Sequence, residues 1–523
     1  MTQNDQVRNA NEDQNHHHSN ILSPSLEETL SVLKQKLGKN SDFIIRQLHA
    51  PLSSSPGIAV SYIDGLIDQQ LLIRLMEALS LQLSEGISHI NLEARLGSQL
   101  PIGNLKSLYT EEDMINSLLE GEAIIIVDDS TRAFAAAISG GAKRAVEEPS
   151  SQTVIRGPKE GFTEDIAVNI AMLRRKIKSP DLCIESLKIG KYTQTRVAVS
   201  YIQGIADPEI VQEIMRRLNS IETDSILESG YIEEFIQDQG QSFFPTIYNT
   251  ERPDSVAGGL LEGIVAILVD GTPFVLLAPA TFFRFFTSSE DYYERFDLSS
   301  FLRIIRLGSF MTTLLLPALY IATTTFQQEM LPTTLFISLA AQRESTPLPA
   351  LLEALVMEVT FEIIREAGIR MPRAVGPAIS IVGALVLGQA AVQAGLVSAA
   401  MVIVVSFTAI SNFVIPSTTM AGAVRLLRFG LMILAGSFGM YGILIGFVPI
   451  LFRIVTIQSL GVPYFMTLVP LNKTNWKDLI IRAPWWKMKT RPKLIGDKNK
   501  HRQSVQQKPF AQQAMKQERD PLE

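Results

Sequence analysis

The sequence has 523 residues and a single cysteine, Cys183. One cysteine excludes an internal disulfide and is typical of a protein in a reducing compartment. It lies in the apolar, strand-like run LCIESL, which predicts a small buried side chain rather than a nucleophile. The N-terminus also lacks a basic segment followed by an apolar core, so we expect no cleavable signal peptide and a cytosolic N-terminal half.

Signatures of common catalytic and metal sites are missing too. No GxxxxGK[ST], HExxH or GxSxG pattern occurs. The adjacent histidines His16, His17 and His18 stand without the cysteine or carboxylate cluster that would complete a defined metal site. We therefore predict a protein that is not an enzyme and holds no metal or cofactor. The net charge of −6 averages regions of unlike composition and gives no reason to expect a nucleic-acid partner.

Charged residues, 19% of the chain, are almost absent from its middle. None occurs from Ala374 to Val424, and a membrane-spanning helix needs roughly 20 apolar residues, so this stretch predicts two spans within residues 377–416. The other predicted segments are Leu307–Thr325, an acidic helix over residues 348–364, and a span within Phe429–Phe452.

The run Ile454–Leu471 is uncharged but interrupted by Gly461 and Pro463, so it is either a poor span or a membrane-embedded loop. The membrane domain therefore has five or six predicted segments. Basic residues crowd alternate loops, and the positive-inside tendency then places both termini in the cytoplasm, which favours six. The basic tail is expected to contact anionic lipid. The basic groups behind this argument are Arg365, Arg370 and Arg373, then Arg425 and Arg428, and the segment from Lys473 to Arg502.

The N-terminal half contains an internal repeat. Val60–Asp68 matches Val199–Asp207, and each copy is a β-branched strand, a glycine turn and an aspartate placed as a helix N-cap. The segment 262–279 is apolar enough to imitate a membrane span. Its counterpart, which begins at Gly121, has the pattern of a β-hairpin, so we predict a buried hairpin there instead.

These patterns predict an α/β cytosolic N-terminal region of two repeated subdomains, followed by an α-helical polytopic membrane domain. The expected order is a disordered polar tail (1–25), two α/β subdomains (26–150 and 151–280), an interfacial amphipathic connector rich in phenylalanine and tyrosine (281–306), the helical membrane domain (307–471) and a basic cytoplasmic tail (472–523).

The predicted acidic helix carries Glu353, Glu358 and Glu362 among apolar residues. An ionised carboxylate facing lipid is costly, so these side chains should face protein or water. Glu358 and Glu362 stand four apart and share a helix face, whereas Glu353 lies on another face. Three interpretations remain open: the acids line a cation pathway, they pair with polar groups such as Gln389 or Gln393, or they are solvated on an interfacial helix.

Small residues recur in two predicted helices at a spacing that lets helix backbones approach closely. We interpret them as helix-packing faces and expect the first to contribute to oligomer assembly. The two faces are Ala384, Gly388, Ala391 and Gly395, and the GxxxG step of Gly442 and Gly446.

A basic, proline-rich turn precedes the first of these two helices. Its residues are Arg370, Pro372, Arg373, Gly376 and Pro377. Together with the helix that follows, the run RMPRAVGPAISIVGALVLGQAAVQAGLVS resembles the signature of the A subunits of GerA-type spore germinant receptors of endospore-forming bacteria. The likeness extends from about Asp42 to Trp486.

That resemblance implies a subunit of a nutrient sensor in the spore inner membrane. In this family the A subunit works with a transporter-like B subunit, which holds the nutrient, and with a lipoprotein C subunit. The A subunit is thought to form a homo-oligomer that conducts monovalent cations when nutrient binds. Two alternatives remain: a paralogous membrane protein associated with the dipicolinate-release apparatus, and a non-conducting scaffold that clusters receptors through its N-terminal repeats.

Overall fold

A computed structural model gives the structure of the protein and describes residues 21–48, 57–85, 105–140, 148–149, 152–238, 240, 242–344, 346–371, 386–466, 478–491, 499 and 501–502. The chain divides into two compact units. The first lies within residues 1–154, 158–236 and 249–278, and the second within 155–157, 237–248 and 279–523. The predicted polar tail lies outside the described residues up to residue 20.

The first unit contains two copies of one α/β arrangement. The first copy consists of α1 (Leu26–Leu37), β1 (Phe43–Leu48), β2 (Ile58–Ile63), α2 (Gln69–Glu85), β3 (Leu105–Leu108), α3 (Glu111–Leu119), β4 (Ala123–Val127) and β5 (Ala133–Ala136). The second consists of α4 (Ile166–Lys176), β6 (Leu182–Ile189), β7 (Thr195–Ile202), α5 (Pro208–Asn219), α6 (Ser229–Ile236), β8 (Tyr248–Thr250), α7 (Pro253–Glu262), β9 (Val265–Val269) and β10 (Val275–Ala278).

The two sheets have corresponding strand orders. The first runs β1-β2-β4-β5-β3 and the second β6-β7-β9-β10-β8. The predicted helix caps are present in both copies: Asp68 Oδ1 accepts a hydrogen bond from Gln70 N at 2.9 Å, and Asp207 Oδ1 accepts one from Glu209 N at 3.0 Å. The internal repeat read from the sequence is therefore a repeat of structure.

The predicted hairpin over residues 262–279 is confirmed. Strands β9 and β10 pair antiparallel, with Leu276 opposite Ile267, and every residue of both strands is buried. The turn between them contains Gly271 at φ +90°, a conformation that favours glycine. The high apolar content of this segment therefore comes from strands inside a protein core and not from contact with lipid.

The sheet of the first copy lies between two layers of helices. Side chains alternate along a strand, so Ala59 and Ile63 of β2 pack with α1 and α3, whereas Ile58 and Val60 pack with α2 on the opposite face. All six residues of β2 are buried. Burial on both faces explains why these strands read as continuous apolar runs.

The second unit is mainly helical. Its helices are α8 (Phe296–Thr325), α9 (Thr333–Glu344), α10 (Ala350–Arg370), α11 (Ala399–Val414), α12 (Thr418–Phe438) and α13 (Met440–Thr456), and residues 386–393 are helical as well. Among the described residues, α8 and α12 are long and apolar enough to cross a membrane, and α11 and α13 are shorter apolar helices.

Gly439 divides the apolar run Phe429–Phe452, in which the sequence predicted one span. Helix α12 ends at Phe438 and α13 begins at Met440. Gly439 has φ +61° and ψ −139°, a backbone conformation suited to glycine, and the chain reverses there. The single predicted span is therefore corrected to parts of two helices.

The run Ile454–Leu471 is not a helical span in its described part. Helix α13 ends at Thr456, and the chain then forms a two-stranded hairpin of β11 (Gln458–Ser459) and β12 (Val462–Pro463). Ser459 Oγ of this hairpin donates to Thr246 O at 2.6 Å. Residues 457–466 therefore form a loop with a short hairpin and not a membrane-spanning helix.

The segment predicted as an interfacial connector is partly buried in protein. Phe282, Phe283, Phe285 and Phe286 are all buried, although the sequence suggested that they face lipid headgroups. They form an aromatic cluster in which the Phe282 ring lies 5.6 Å from that of Phe310. Helix α8 already begins at Phe296, so the end of the predicted connector belongs to that helix.

Part of the predicted basic tail is fixed to the start of α8. Arg303 Nη1 lies 2.9 Å from Asp478 Oδ1, and Arg303 Nε lies 3.1 Å from Asp291 Oδ2. Arg306 Nη1 reaches the same Asp291 at 2.7 Å. Arg482 donates a hydrogen bond to Glu294 O at 2.9 Å. Residues 478–482 thus belong to a folded part of the second unit.

Candidate functional site

Helix α10 carries the three acids singled out from the sequence. It begins after Pro349, whose φ of −60° and ψ of 151° are extended, and it ends at Arg370. Met371 returns to an extended conformation with ψ 153° because the next residue in the sequence is proline, which disfavours the helical conformation in the residue before it. Prolines in the sequence therefore set both ends of the helix that carries the three acids.

Glu358 forms an ion pair inside the helical unit. Its Oε2 lies 2.6 Å from Nη2 of Arg428 in α12, and the two side chains are 0% and 1% exposed. A buried charge without a partner is strongly unfavourable, so each of these groups depends on the other. The pair joins two helices that lie far apart in the sequence.

Glu362, one turn further along α10, is surrounded by three arginines. Its Oε2 lies 2.9 Å from Arg425 Nη1 and 2.8 Å from Arg365 Nη2, and its Oε1 lies 3.6 Å from Arg428 Nη2. Glu362, Arg365 and Arg425 remain partly exposed. Together with Glu358 these residues form a cluster of two acids and three arginines, which we call the α10–α12 ion cluster.

The α10–α12 ion cluster is poorly hydrogen-bonded. Several of its buried polar atoms have no hydrogen-bond partner among the described residues, even where the ionic distance is short. Buried polar groups in native proteins nearly always have such partners, so these atoms call for an explanation. They are Glu358 Oε1 and Oε2, Glu362 Oε1, Arg365 Nε, and Arg428 Nε and Nη2.

Glu353 has a different environment. Its Oε1 accepts hydrogen bonds from Ser398 N at 2.5 Å and Ser398 Oγ at 2.6 Å, and the side chain is fully buried. Ser398 is the N-cap of α11, and a carboxylate at a helix N-terminus is favoured by the exposed N–H groups and the helix dipole. This contact is of the structural kind that the sequence left open for Glu353.

Helices α10 and α12 are antiparallel along the cluster. A Cβ atom on Gly436 would lie 2.6 Å from Leu351 Cδ2, so the two helices already approach closely near the start of α10. Further along, Glu358 meets Arg428 and Glu362 meets Arg425. As residue numbers rise along α10, the residues that they contact in α12 have falling numbers. The close contact at Gly436 fixes this alignment of the two helices, and the alignment brings the acids of α10 next to the arginines of α12.

Gly442 and Gly446, the predicted GxxxG step, lie where α13 packs on α12. A Cβ atom on Gly442 would lie 2.0 Å from Leu434 O, and one on Gly446 would lie 2.6 Å from Leu431 Cδ2. This contact is within one chain. Gly388 is buried, and a Cβ there would lie 3.7 Å from Val402 Cγ1 in α11.

The other predicted site residues are placed less tightly or lie outside the described residues. Ala391 and Gly395 are half-buried, and Gln389 and Gln393 are exposed rather than paired with the acids. Arg370 pairs with Glu366 on the surface at 2.7 Å. The residues outside the described part of the chain are Ala384, Pro372, Arg373, Gly376 and Pro377.

Sequence reasoning assigned Arg425 and Arg428 to a loop, and this was wrong, since both lie within α12. The available signal was their position: two arginines follow an uncharged run and precede another apolar stretch. An arginine in such a place needs an acidic partner, and the paired acids of α10 offer one. The two arginines are three residues apart in α12 and the two acids four apart in α10, and each of these spacings puts both side chains on the same face of their helix.

Comparisons with known proteins place the chain in a family. A family model described as Bacillus/Clostridium GerA spore germination protein matches residues 31–494. The chain therefore belongs to the GerA family of spore germination proteins, as its signature turn and helix suggested.

Several members of this family are similar to this chain. Spore germination protein KA of Bacillus subtilis (strain 168) is 46% identical, over 94% of this chain and 90% of its own. Spore germination protein GerLA of Bacillus cereus is 38% identical, over 91% and 97%. The crystal structure of the N-terminal domain of the A subunit of the Bacillus megaterium spore germinant receptor GerK3 is 40% identical, over 51% of this chain and 99% of its own, with a TM-score of 0.40.

Proposed function

We propose that this protein is the A subunit of a nutrient-sensing germinant receptor in the spore inner membrane. Family membership over residues 31–494, and relatives named as spore germination proteins over most of their own length, support this assignment. The proposed partners are a transporter-like B subunit that holds the nutrient and a lipoprotein C subunit. The proposed assembly is a homo-oligomer of the A subunit with these partners.

The proposed membrane topology has six crossings and two cytoplasmic termini. The crossings are α8, α10, the helix that contains residues 386–393, α11, α12 and α13. Basic residues support this order, because Arg365 and Arg370 lie at the end of α10 and Arg453 in the last turn of α13. Reporter fusions after Trp486 test it, and activity of a reporter that works only outside the cytoplasm contradicts six crossings.

The proposed activity is nutrient-triggered conduction of monovalent cations. The observation that carries it is the pair of acids, Glu358 and Glu362, within an apolar helix of the helical unit. Acidic side chains lining a pathway attract cations and repel anions, and repetition of the same acids in several subunits strengthens that field. We infer that these two acids line the pathway once it is open.

The alternative of a non-conducting scaffold also has an observation in its favour. Both acids are paired with arginines in this structure, so their charges are already compensated. Ion flux separates the two functions. We would reconstitute the complete A, B and C complex in liposomes loaded with potassium and add amino acids, sugars and nucleosides as a nutrient panel. Potassium release on addition of a nutrient supports conduction, and no release with any of them favours the scaffold.

A further inference from the structure

The charges of the α10–α12 ion cluster do not suit an open cation pathway. Its two acids, Glu358 and Glu362, face three arginines, so the cluster carries an excess of positive charge. Like charges repel strongly where water is largely excluded, and a cation that approaches these carboxylates meets arginines instead of a negative field. Conduction past the acids therefore requires that Arg428 separate from Glu358.

Few hydrogen bonds support the ion pair between Glu358 and Arg428. A buried pair is most stabilising when its remaining donors and acceptors are hydrogen-bonded, because each unsatisfied group opposes burial. Here the unpartnered atoms include Glu358 Oε1 and Arg428 Nε, both from side chains that are at most 1% exposed. The closed pair depends on the attraction between the two charges and gains little from surrounding hydrogen bonds. Entry of water or movement of α10 can therefore compete with it.

The attachment of α10 to α12 is uneven along its length. At one end, Leu351 packs against Gly436 so closely that no larger residue fits there without a shift. The ion cluster begins two turns further along, roughly 10 Å away at 1.5 Å per residue. A tight apolar contact at one end and an under-satisfied ionic contact further along allow α10 to pivot about the first and release the second.

We propose that Arg428 is the positioning residue that keeps the cation pathway closed, because it holds Glu358 in an ion pair until nutrient binding moves α10. This inference rests on the proposed conduction and assigns its regulation to a residue of α12. Arg425, which holds Glu362, contributes to the same closed state.

The test uses the complete reconstituted complex and potassium release as its readout. The parent should release potassium only with nutrient. Arg428→Gln removes the charge while retaining a hydrogen-bonding side chain, and it should release potassium without nutrient at least about tenfold faster than the parent, within the usual range of coupling between sites. Arg428→Lys keeps the positive charge and should restore dependence on nutrient. Arg295→Gln removes the exposed arginine that precedes α8 from its pair with Asp297 and should behave as the parent does.

The possible results separate the two proposals. A parent complex that stays silent with every nutrient overturns the proposed conduction and the role of Arg428 with it. A nutrient-responsive parent together with an assembled Arg428→Gln complex that still needs nutrient, or is silent in all conditions, overturns the role of Arg428 alone. Should Arg428→Gln fail to assemble, Arg425→Gln replaces it, because Arg425 is 22% exposed and its loss is easier to tolerate. A smaller nutrient-independent release supports the inference, and parent-like behaviour overturns it.

Discussion

Arg174 and Asp42 form a buried ion pair with two hydrogen bonds, from Nε to Oδ2 at 2.8 Å and from Nη2 to Oδ1 at 2.9 Å. Asp42 precedes the first strand of the first repeat, and Arg174 lies in the first helix of the second repeat. Arg174 Nη1 also donates to Leu182 O at 2.9 Å, and Asn40 Oδ1 accepts from Ile184 N at 2.8 Å. Buried polar contacts thus join the two repeats. Because hydrogen bonds depend on distance and angle, these contacts favour one orientation of the first repeat relative to the second.

Breaking this pair should uncouple the repeats. Asp42→Asn leaves a buried guanidinium without its counter-charge and should lower the free energy of unfolding by about 3–5 kcal/mol. Denaturant unfolding of residues 26–280 measures this change. Arg216→Gln is the matched control, because the Arg216 side chain is 70% exposed and its pair with Glu213 should contribute less than about 1 kcal/mol. Equal effects of the two substitutions would contradict the role assigned to Asp42.

The first unit should fold without the helical unit. Its strands β9 and β10 are buried within its own sheet, so nothing in them requires lipid. Expression of residues 26–280 without detergent should give a soluble protein with mixed helix and strand content by circular dichroism. A product that dissolves only in detergent would indicate that residues 262–279 insert into the membrane.

Glu233 should make the first unit less stable at neutral and alkaline pH than at acidic pH. Burial, and to a smaller extent the nearby charge of Glu228, raise the pKa of Glu233 to about 7, against a hydrogen bond from Asn249 that lowers it. The folded state therefore holds a proton that the unfolded state releases near pH 4.5, so stability falls as the pH rises between these two values. Glu233→Gln removes the effect and should stabilise residues 26–280 by on the order of 2 kcal/mol at pH 8.

The pH profile gives this prediction its controls. Little difference between parent and Glu233→Gln is expected at pH 4, where the carboxyl group is protonated in both states. Glu234→Gln changes the exposed neighbour in the same helix and should leave the profile of the parent unaltered. A Glu233→Gln profile parallel to that of the parent from pH 4 to pH 8 would refute the shifted pKa.

Replacing Gly442 should disrupt the packing of α13 on α12. The Cβ of alanine would lie 2.0 Å from Leu434 O, which is backbone and cannot move aside as a flexible side chain can. Gly442→Ala should therefore lower the free energy of unfolding of the purified full-length protein by about 1–3 kcal/mol, and thermal melting detects this loss. Gly430→Ala is the control, because a Cβ there meets nothing within 4 Å among the described residues. Similar melting of both variants would remove Gly442 from the helix contact.

Local signals explain what was predictable. The repeat, its aspartate caps at Asp68 and Asp207, and the hairpin of β9 and β10 depend on neighbouring residues whose spacing is visible in the chain. The break at Gly439 was not visible, because a one-residue reversal leaves the hydropathy of an apolar run unchanged. The position of a positive-φ glycine depends on the packing of the helices on both sides.

The ion cluster was only half predictable for a related reason. Glu358 and Glu362 stood out because acids in an apolar helix need an explanation, but their partners lie in another helix much later in the chain. The pattern of charges along the sequence does not show which distant residue pairs with a given acid. The positive-inside tendency then assigned Arg425 and Arg428 to a loop, because it weighs the sign of charges and ignores buried pairs.

In the proposed channel, Glu358 and Glu362 should set cation selectivity once the pathway is open. Glu358→Gln together with Glu362→Gln keeps size and hydrogen-bonding capacity but removes both negative charges. The nutrient-triggered preference for potassium over chloride should therefore fall, because the open pathway loses its negative field. Arg428 and Arg425 also lose their counter-charges in this double variant, so part of its potassium release should no longer need nutrient. Reversal potentials of the reconstituted complex under a potassium chloride gradient measure this preference directly.

Glu353→Gln provides the comparison within the same helix. An amide oxygen can still accept the two hydrogen bonds from Ser398 that fix the start of α11, and Glu353 lies away from the arginines of the cluster, so selectivity should change less. Unchanged selectivity in the double variant would leave Glu358 and Glu362 as structural partners of Arg428 and Arg425.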